Sequence, residues 1–161
     1  MSMKLTHDKF RFHVTTIELD GETITVGGNN YNTTLKMTYN QGANIKKINS
    51  MIIDFLLQIC EDLHHRVIVP AKSLLLSFSK NGGQLDMDRV GTSLHYSFPE
   101  RAVMMCPVKN TGIDDLCSYV AESLSDKIKE KTNFQAQIDK IKVKVSQNIG
   151  PKVATVKLRL N

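Results

Sequence analysis

Tryptophan is absent, and aromatic residues make up only 6% of the 161 positions. Flat platforms on which bases stack are therefore scarce, and nucleic acid is not the expected partner. Cysteine is scarce too. Cys60, Cys106 and Cys117 stand among apolar neighbours, and no two share a Cys-x-x-Cys spacing. An odd number without a framework argues against a disulfide scaffold and for buried structural thiols. No apolar run approaches the roughly 20 residues that cross a bilayer, so no membrane partner is expected. The polar start, Met1 to Lys9, lacks the apolar centre of a signal peptide, which makes a cytoplasmic protein the expectation. A metal-ligand cluster is missing as well. His7, His13 and His95 are scattered, without acidic or thiol partners at ligand spacing.

What is present is an ordinary globular composition, 41% apolar and 23% charged, sized for a single domain over 1–161. The net charge of +5 could serve a polyanion, but the positions favour a solvated basic face. Lys127, Lys129 and Lys131 fall at a helix end, where cations suit the macrodipole. Lys140, Lys142 and Lys144 alternate with apolar residues, as on the wet face of a strand.

Periodicity orders the chain. Phe10, Phe12 and Val14 alternate with polar residues in a first strand. Asp20-Gly21 and Gly27-Gly28 read as turns, and Tyr31, Thr33, Leu35, Met37 and Tyr39 form one face of a second strand. Asp54 is the expected N-cap of a helix reaching about His64, with Phe55, Ile59 and Leu63 on one face. A strand-rich excursion follows, through Val67–Phe78, Leu85–Met87, Leu94–Phe98 and Val103–Val108, with a turn at Asn81-Gly82-Gly83. Thr111 and Asp114 have the form of a capping box. Behind them Ile113, Leu116, Cys117, Val120, Ala121, Leu124 and Ile128 hold one helical face for about four turns. Ile141, Val143, Val145 and Gln147 alternate on a further strand, and Val153 to Leu160 forms the last.

The expected fold is thus α+β: a four-stranded antiparallel sheet, two helices on one face, and a small β insertion between the helices. By alternation Ala154, Val156, Leu158 and Leu160 are expected to give the second face apolar residues too. Such a face is usually buried by self-association.

Four strings stand in this order: Met51–Phe55 (MIIDF), Leu63–Pro70 (LHHRVIVP), Tyr96–Pro99 (YSFP) with Cys106–Thr111 (CPVKNT), and Val143–Gln147 (VKVSQ). With the element order, they resemble the 6-pyruvoyltetrahydropterin synthase and 6-carboxytetrahydropterin synthase family over nearly the whole chain. The resemblance implies the tunnelling fold, whose sheets join side by side into an oligomeric barrel, here a trimer-based hexamer. It implies sites between subunits and a pterin or purine-like heterocycle as ligand. It places substrate contacts at Gln147, Thr111 and Asn110, and a catalytic relay at His64 and His65. Both histidines also suit a helix C-terminus on elementary grounds.

The chain departs from the family where the family binds zinc. The three ligand histidines map to Thr16, Gly27 and Asn29, in the string Gly27–Tyr31 (GGNNY). Glycine offers no side chain, and amides are poor zinc ligands beside imidazole. The family's catalytic cysteine belongs between the first two strands, and Ile17 to Val26 contains none. The acidic partner in the relay has become His64, and a glutamate that anchors the pterin has become Gln147, an amide without charge-assisted strength. The expected function is a metal-free heterocycle-binding protein without zinc-dependent lyase activity and without a cofactor. Two alternatives stand beside it. One is a metal-free enzyme like dihydroneopterin aldolase, with Tyr31 and Lys36 as acid/base groups. The other is a non-catalytic oligomeric scaffold with weak nucleic-acid binding.

Overall fold

The apolar–polar alternation that begins at Phe10 runs further than the sequence suggests. In a computed structural model, which describes residues 2–5, 10–20, 23–130 and 137–160, strand β1 spans Ser2–Leu5, β2 Arg11–Asp20 and β3 Thr23–Tyr39. Strands β2 and β3 pair antiparallel from Arg11↔Asn32 to Asp20↔Thr23. Gly27 and Gly28, expected in a turn, therefore lie inside β3, opposite Thr16 and Thr15. Gly28 has a packing reason to be glycine. A Cβ there would stand 3.2 Å from Cε1 of His13, so its absence leaves room for the imidazole.

Helix α1 spans Ile45–Leu63 and is capped by Asn44, whose side chain accepts from the Lys47 N–H at 3.3 Å. Asp54, the expected cap, sits exposed in mid-helix. The apolar stripe is longer than Phe55–Leu63, because Ile48 and Ile52 extend it two turns earlier. Helix α2 spans Ile113–Glu130 with the expected face buried, acids in its first turn, and Lys127 and Lys129 in its last.

The expected four-stranded antiparallel sheet is larger and mixed. Its order is β10-β9-β3-β2-β4-β8, with β1 paired to β3. Here β4 is Arg66–Pro70, β8 Val103–Cys106, β9 Ile138–Gln147 and β10 Val153–Arg159. Strands β4 and β8 run parallel to their neighbours. The sequence pattern places both in the insertion. Ile68 and Val69, adjacent and fully buried, show a strand covered on both faces. The rest of the insertion, β5 (Leu76–Asn81), β6 (Gln84–Arg89) and β7 (His95–Pro99), forms a separate antiparallel sheet. Its Leu76, Leu85 and Met87 pack on Ile17 and Val69, covering the β2–β4 part of the side of the large sheet away from the helices.

Both helices pack on the other side, over Phe12, Val14, Tyr31, Leu35, Met37, Ile141, Val143 and Val145. Ala154 and Leu160 belong to this same core, with Val156 and Leu158 packed against it. The expectation that these four residues make the second face apolar is therefore wrong. Strand β10 directs Val153, Thr155, Lys157 and Arg159 there instead. All three cysteines are buried, and burial pushes their thiols up to about 12 at Cys60 and Cys106 and about 11 at Cys117. They stay protonated and serve packing. Among the described residues no helix is long and apolar enough to cross a membrane.

Candidate functional site

Antiparallel register sets Thr16 directly opposite Gly27, and Asn29 lies two residues along β3 on the same face, toward the helices. The three positions converge. Asn29 Nδ2 donates to Thr16 Oγ1 at 2.9 Å and to the Gly27 carbonyl at 3.5 Å, and Thr16 Oγ1 donates to the same carbonyl at 3.4 Å. The atoms on offer are a hydroxyl, an amide and a backbone carbonyl. Zinc takes imidazole nitrogen, thiolate or carboxylate, so this set does not fit it. Among the described residues no group of three His, Cys, Asp or Glu side chains could hold a metal ion.

Ionisable groups surround this polar knot. Glu18, half-buried, follows Thr16 on the same face of β2, and Tyr31 follows Asn29 on β3. Burial, with the Glu18 charge second, pushes the Tyr31 hydroxyl up to about 12. It is a proton-holding donor at neutral pH. Burial also raises the Asp115 carboxyl in the first turn of α2, with Asp114 and Glu18 adding to the shift. Glu18 thus acts electrostatically on both Tyr31 and Asp115, and the pattern of motifs did not single it out. Its only signal was an acid on the inward side of β2.

Asn110 and Thr111 are occupied by β2. Strand β4 pairs with β2 only from Val14 to Thr16. Beyond it, Thr111 Oγ1 donates to the Ile17 carbonyl at 2.7 Å and accepts from the Ile17 N–H at 3.0 Å. Asn110 Oδ1 accepts from the Leu19 N–H at 3.1 Å, and its Nδ2 donates to the Leu19 carbonyl at 3.0 Å. Two side chains replace a missing stretch of strand. Gln147 stands opposite Tyr31 on β9, on the face of the site. Its carbonyl turns back to accept from the Lys152 N–H at 3.2 Å, closing the β9–β10 turn. A Cβ at Gly150, whose φ is 136°, would collide with that oxygen.

His64 and His65 clamp the end of α1 to β2. The His64 N–H donates to the Cys60 carbonyl at 2.9 Å, and its Nδ1 accepts from the His13 N–H at 2.9 Å. The His65 N–H donates to the His13 carbonyl at 2.6 Å, with φ at 60°. Ile68 aligns with Thr16, so His65 lies three residues, about 10 Å, along the strands from the level of Thr16, and one residue from the level of Asn29, with β2 between them. Tyr31 and Lys36, paired in the aldolase-like alternative, sit five residues apart on β3 and project to opposite faces, Tyr31 buried and Lys36 exposed. His95 does have acidic partners: its Nδ1 lies 2.7 Å from Asp88 Oδ1, and its Nε2 4.0 Å from Asp86. The β6–β7 register brings them together. His7 lies outside the described residues.

Solved structures show what this architecture is. 6-Pyruvoyltetrahydropterin synthase from Plasmodium vivax matches 99% of this chain and 98% of its own, at TM-score 0.84 and 22% identity. A variant of it, in which a catalytic glutamate is replaced by alanine, matches equally. The Plasmodium falciparum enzyme matches with TM-score 0.83 at the same identity and coverage. This chain has the 6-pyruvoyltetrahydropterin synthase fold. No family model and no curated protein matches the sequence.

Within this fold two histidines titrate in opposite senses. Hydrogen bonding to Asp88 raises the His95 pKa. Its contribution to stability is complete below about pH 6.5 and is lost as pH rises through the folded value. Desolvation, then His65 and His13, lower the His64 pKa. Its contribution is present above about pH 6.5 and is lost as pH falls through the folded value. NMR titration will give His95 above and His64 below the ordinary value. Asp88→Asn will return His95 toward that value and leave His64 unmoved.

Proposed function

We propose that this chain is a metal-free pterin- or heterocycle-binding protein on the 6-pyruvoyltetrahydropterin synthase fold, without the zinc-dependent lyase reaction. One observation carries the reading: Thr16, Gly27 and Asn29 meet in space, and what meets there is a hydrogen-bonding knot. The solved neighbours are pterin synthases by name. The groups around the knot suit the polar edge of such a ring. Glu18 accepts, the Tyr31 hydroxyl and the Gln147 amide NH2 donate, and the buried sides are apolar. Asn110 and Thr111 hold β2 in place behind them. His64 and His65 fix the α1–β2 junction, and no proton transfer is assigned to them.

Among the described residues strands β10 and β8 end the sheet unpaired, which leaves two edges for a second copy. A homo-oligomer joined through them, a trimer-based hexamer, would close the site from the side. The test is a thermal-shift panel of pterins and purines with and without zinc. A ligand at about 100 times its Kd adds roughly 2.7 kcal/mol, a rise of about 5–10 °C for a chain of this size. We expect a pterin shift that zinc does not change and that Glu18→Gln and Gln147→Ala both reduce. No shift from any ring, or zinc-dependent turnover of dihydroneopterin triphosphate, would rule the reading out.

A further inference from the structure

The junction between α1 and β2 hangs on backbone groups of His13 that strand β4 does not reach. Pairing of β4 with β2 begins one residue further along, at Val14↔Arg66. The two groups of His13 are taken instead by the residues that end the helix. Its N–H donates to His64 Nδ1 at 2.9 Å, and its carbonyl accepts from the His65 N–H at 2.6 Å. An imidazole nitrogen accepts only when it carries no proton, so neutral His64 holds its proton on Nε2. His65 stands at φ 60°, a left-handed backbone that residues other than glycine adopt at a cost. Three imidazoles crowd this point. The His64 and His65 ring centroids are 3.7 Å apart, and those of His65 and His13 are 6.0 Å apart.

We infer that this junction is a proton-operated clamp: His64 ties the end of α1 to β2 while neutral and releases it when protonated. A proton on Nδ1 sets donor against donor, and the bond from the His13 N–H is lost. Desolvation, then positive charge on His65 and His13, oppose that proton, so the clamp holds above about pH 6.5 and opens as pH falls through the folded value. The other charged groups at the junction are exposed to solvent, which screens them: Glu61 and Asp62 on α1, Arg11 on β2 and Arg66 on β4. Asp62 accepts from the Gln58 amide at 2.8 Å, and Arg66 donates to the Arg101 carbonyl at 2.9 Å. The His13 ring is not the trigger. Its Nδ1 faces the acceptor Asn30 Oδ1 at 2.9 Å and keeps that bond in either charge state. The clamp reaches the candidate site through one residue. His13 precedes Val14, whose cross-strand partner is Asn29, and its ring fills the space beside Gly28. Release therefore loosens the part of β2 that positions Asn29 and lowers the affinity for a heterocycle. That consequence rests on the function proposed above, whereas the clamp does not.

The experiment is hydrogen exchange by NMR on the whole protein, read as the protection factor of the His13 amide in a series from about pH 8 to about pH 5. It should fall roughly tenfold or more, with a midpoint below about 6.5, while amides in the middle of β9 keep theirs. His64→Asn should hold the clamp closed throughout, since its side-chain oxygen accepts at the same place and does not titrate. His64→Ala should leave the His13 amide open at every pH. Protection of His13 that does not change with pH in the unaltered protein, or that falls equally in His64→Asn, overturns the inference. The pterin thermal shift should shrink on acidification in the unaltered protein and persist in His64→Asn. A shift that persists while the His13 amide opens overturns the coupling to the site. A protein that no ring stabilises at either pH counts against the heterocycle reading alone, and the His13 amide still decides the clamp.

Discussion

Thr111→Val should remove about 2–5 kcal/mol of folding stability, while Thr111→Ser should cost about 1 kcal/mol or less. The hydroxyl is fully buried and serves two backbone groups, accepting from the Ile17 N–H and donating to the Ile17 carbonyl. Valine keeps the shape and orphans both. Each unsatisfied buried group costs roughly 1–3 kcal/mol, whereas serine loses only a methyl. Domains of this size hold only about 5–15 kcal/mol in total, so valine takes a large share. Urea unfolding should show the midpoint falling with the slope unchanged. If valine costs no more than serine, then Asn110 and Thr111 do not hold β2, and the replacement of strand by side chains is wrong.

That pair shows where sequence reading succeeds and where it stops. Thr111 was legible as a helix cap because the Thr111–Asp114 spacing and the stripe behind it are local. Its bonds to Ile17, ninety-four positions away, were not. The same limit explains the other differences. The α2 stripe and the β9 alternation need only neighbours in sequence, and both stand as read. The pairing of β4 with β2 and β8 is long-range, so the local pattern places two strands of the large sheet in the insertion. Gly27-Gly28 has turn composition, and only the β2 register shows that β3 runs through it. The acids of His95 come from the strand beside it. Asn44 caps α1 well before the Phe55 stripe, and it is the burial of Ile48 and Ile52 that shows the helix beginning there. Lys140, Lys142 and Lys144 read as the wet face of one strand, and only the pairing of β3, β9 and β10 shows that Lys36, Lys157 and Arg159 share that face.

Convergence of Thr16, Gly27 and Asn29 leads to a gain-of-function expectation. The combined variant Thr16→His, Gly27→His and Asn29→His should bind zinc at micromolar Kd or better, about −8 kcal/mol, where the unaltered protein shows no comparable site. The positions have the right relation. Thr16 and Gly27 are direct cross-strand partners, with Cβ atoms about 5 Å apart, and Asn29 is about 7 Å further along the same face. Imidazoles at that spacing can meet a tetrahedral ion with bonds near 2.0–2.1 Å. A Cβ at Gly27 meets no atom within 4 Å, so that arm has room to enter. Replacing all three together removes both partners of the Thr16–Asn29 hydrogen bond at once, and the carbonyl of residue 27 gives up only its two long side-chain contacts, at 3.4 and 3.5 Å. Competition against a chromophoric chelator measures the affinity, and zinc should raise the variant's melting temperature alone. The loaded variant should still fail to turn over dihydroneopterin triphosphate, since residues 17–26 supply no thiol to take part. Absence of zinc binding in a folded variant would show that these three positions do not form the family's ligand site, and the metal-free reading would lose its footing. Zinc binding without turnover would show that only side chains separate this knot from a metal centre, and that the chemistry needs groups this hairpin does not carry.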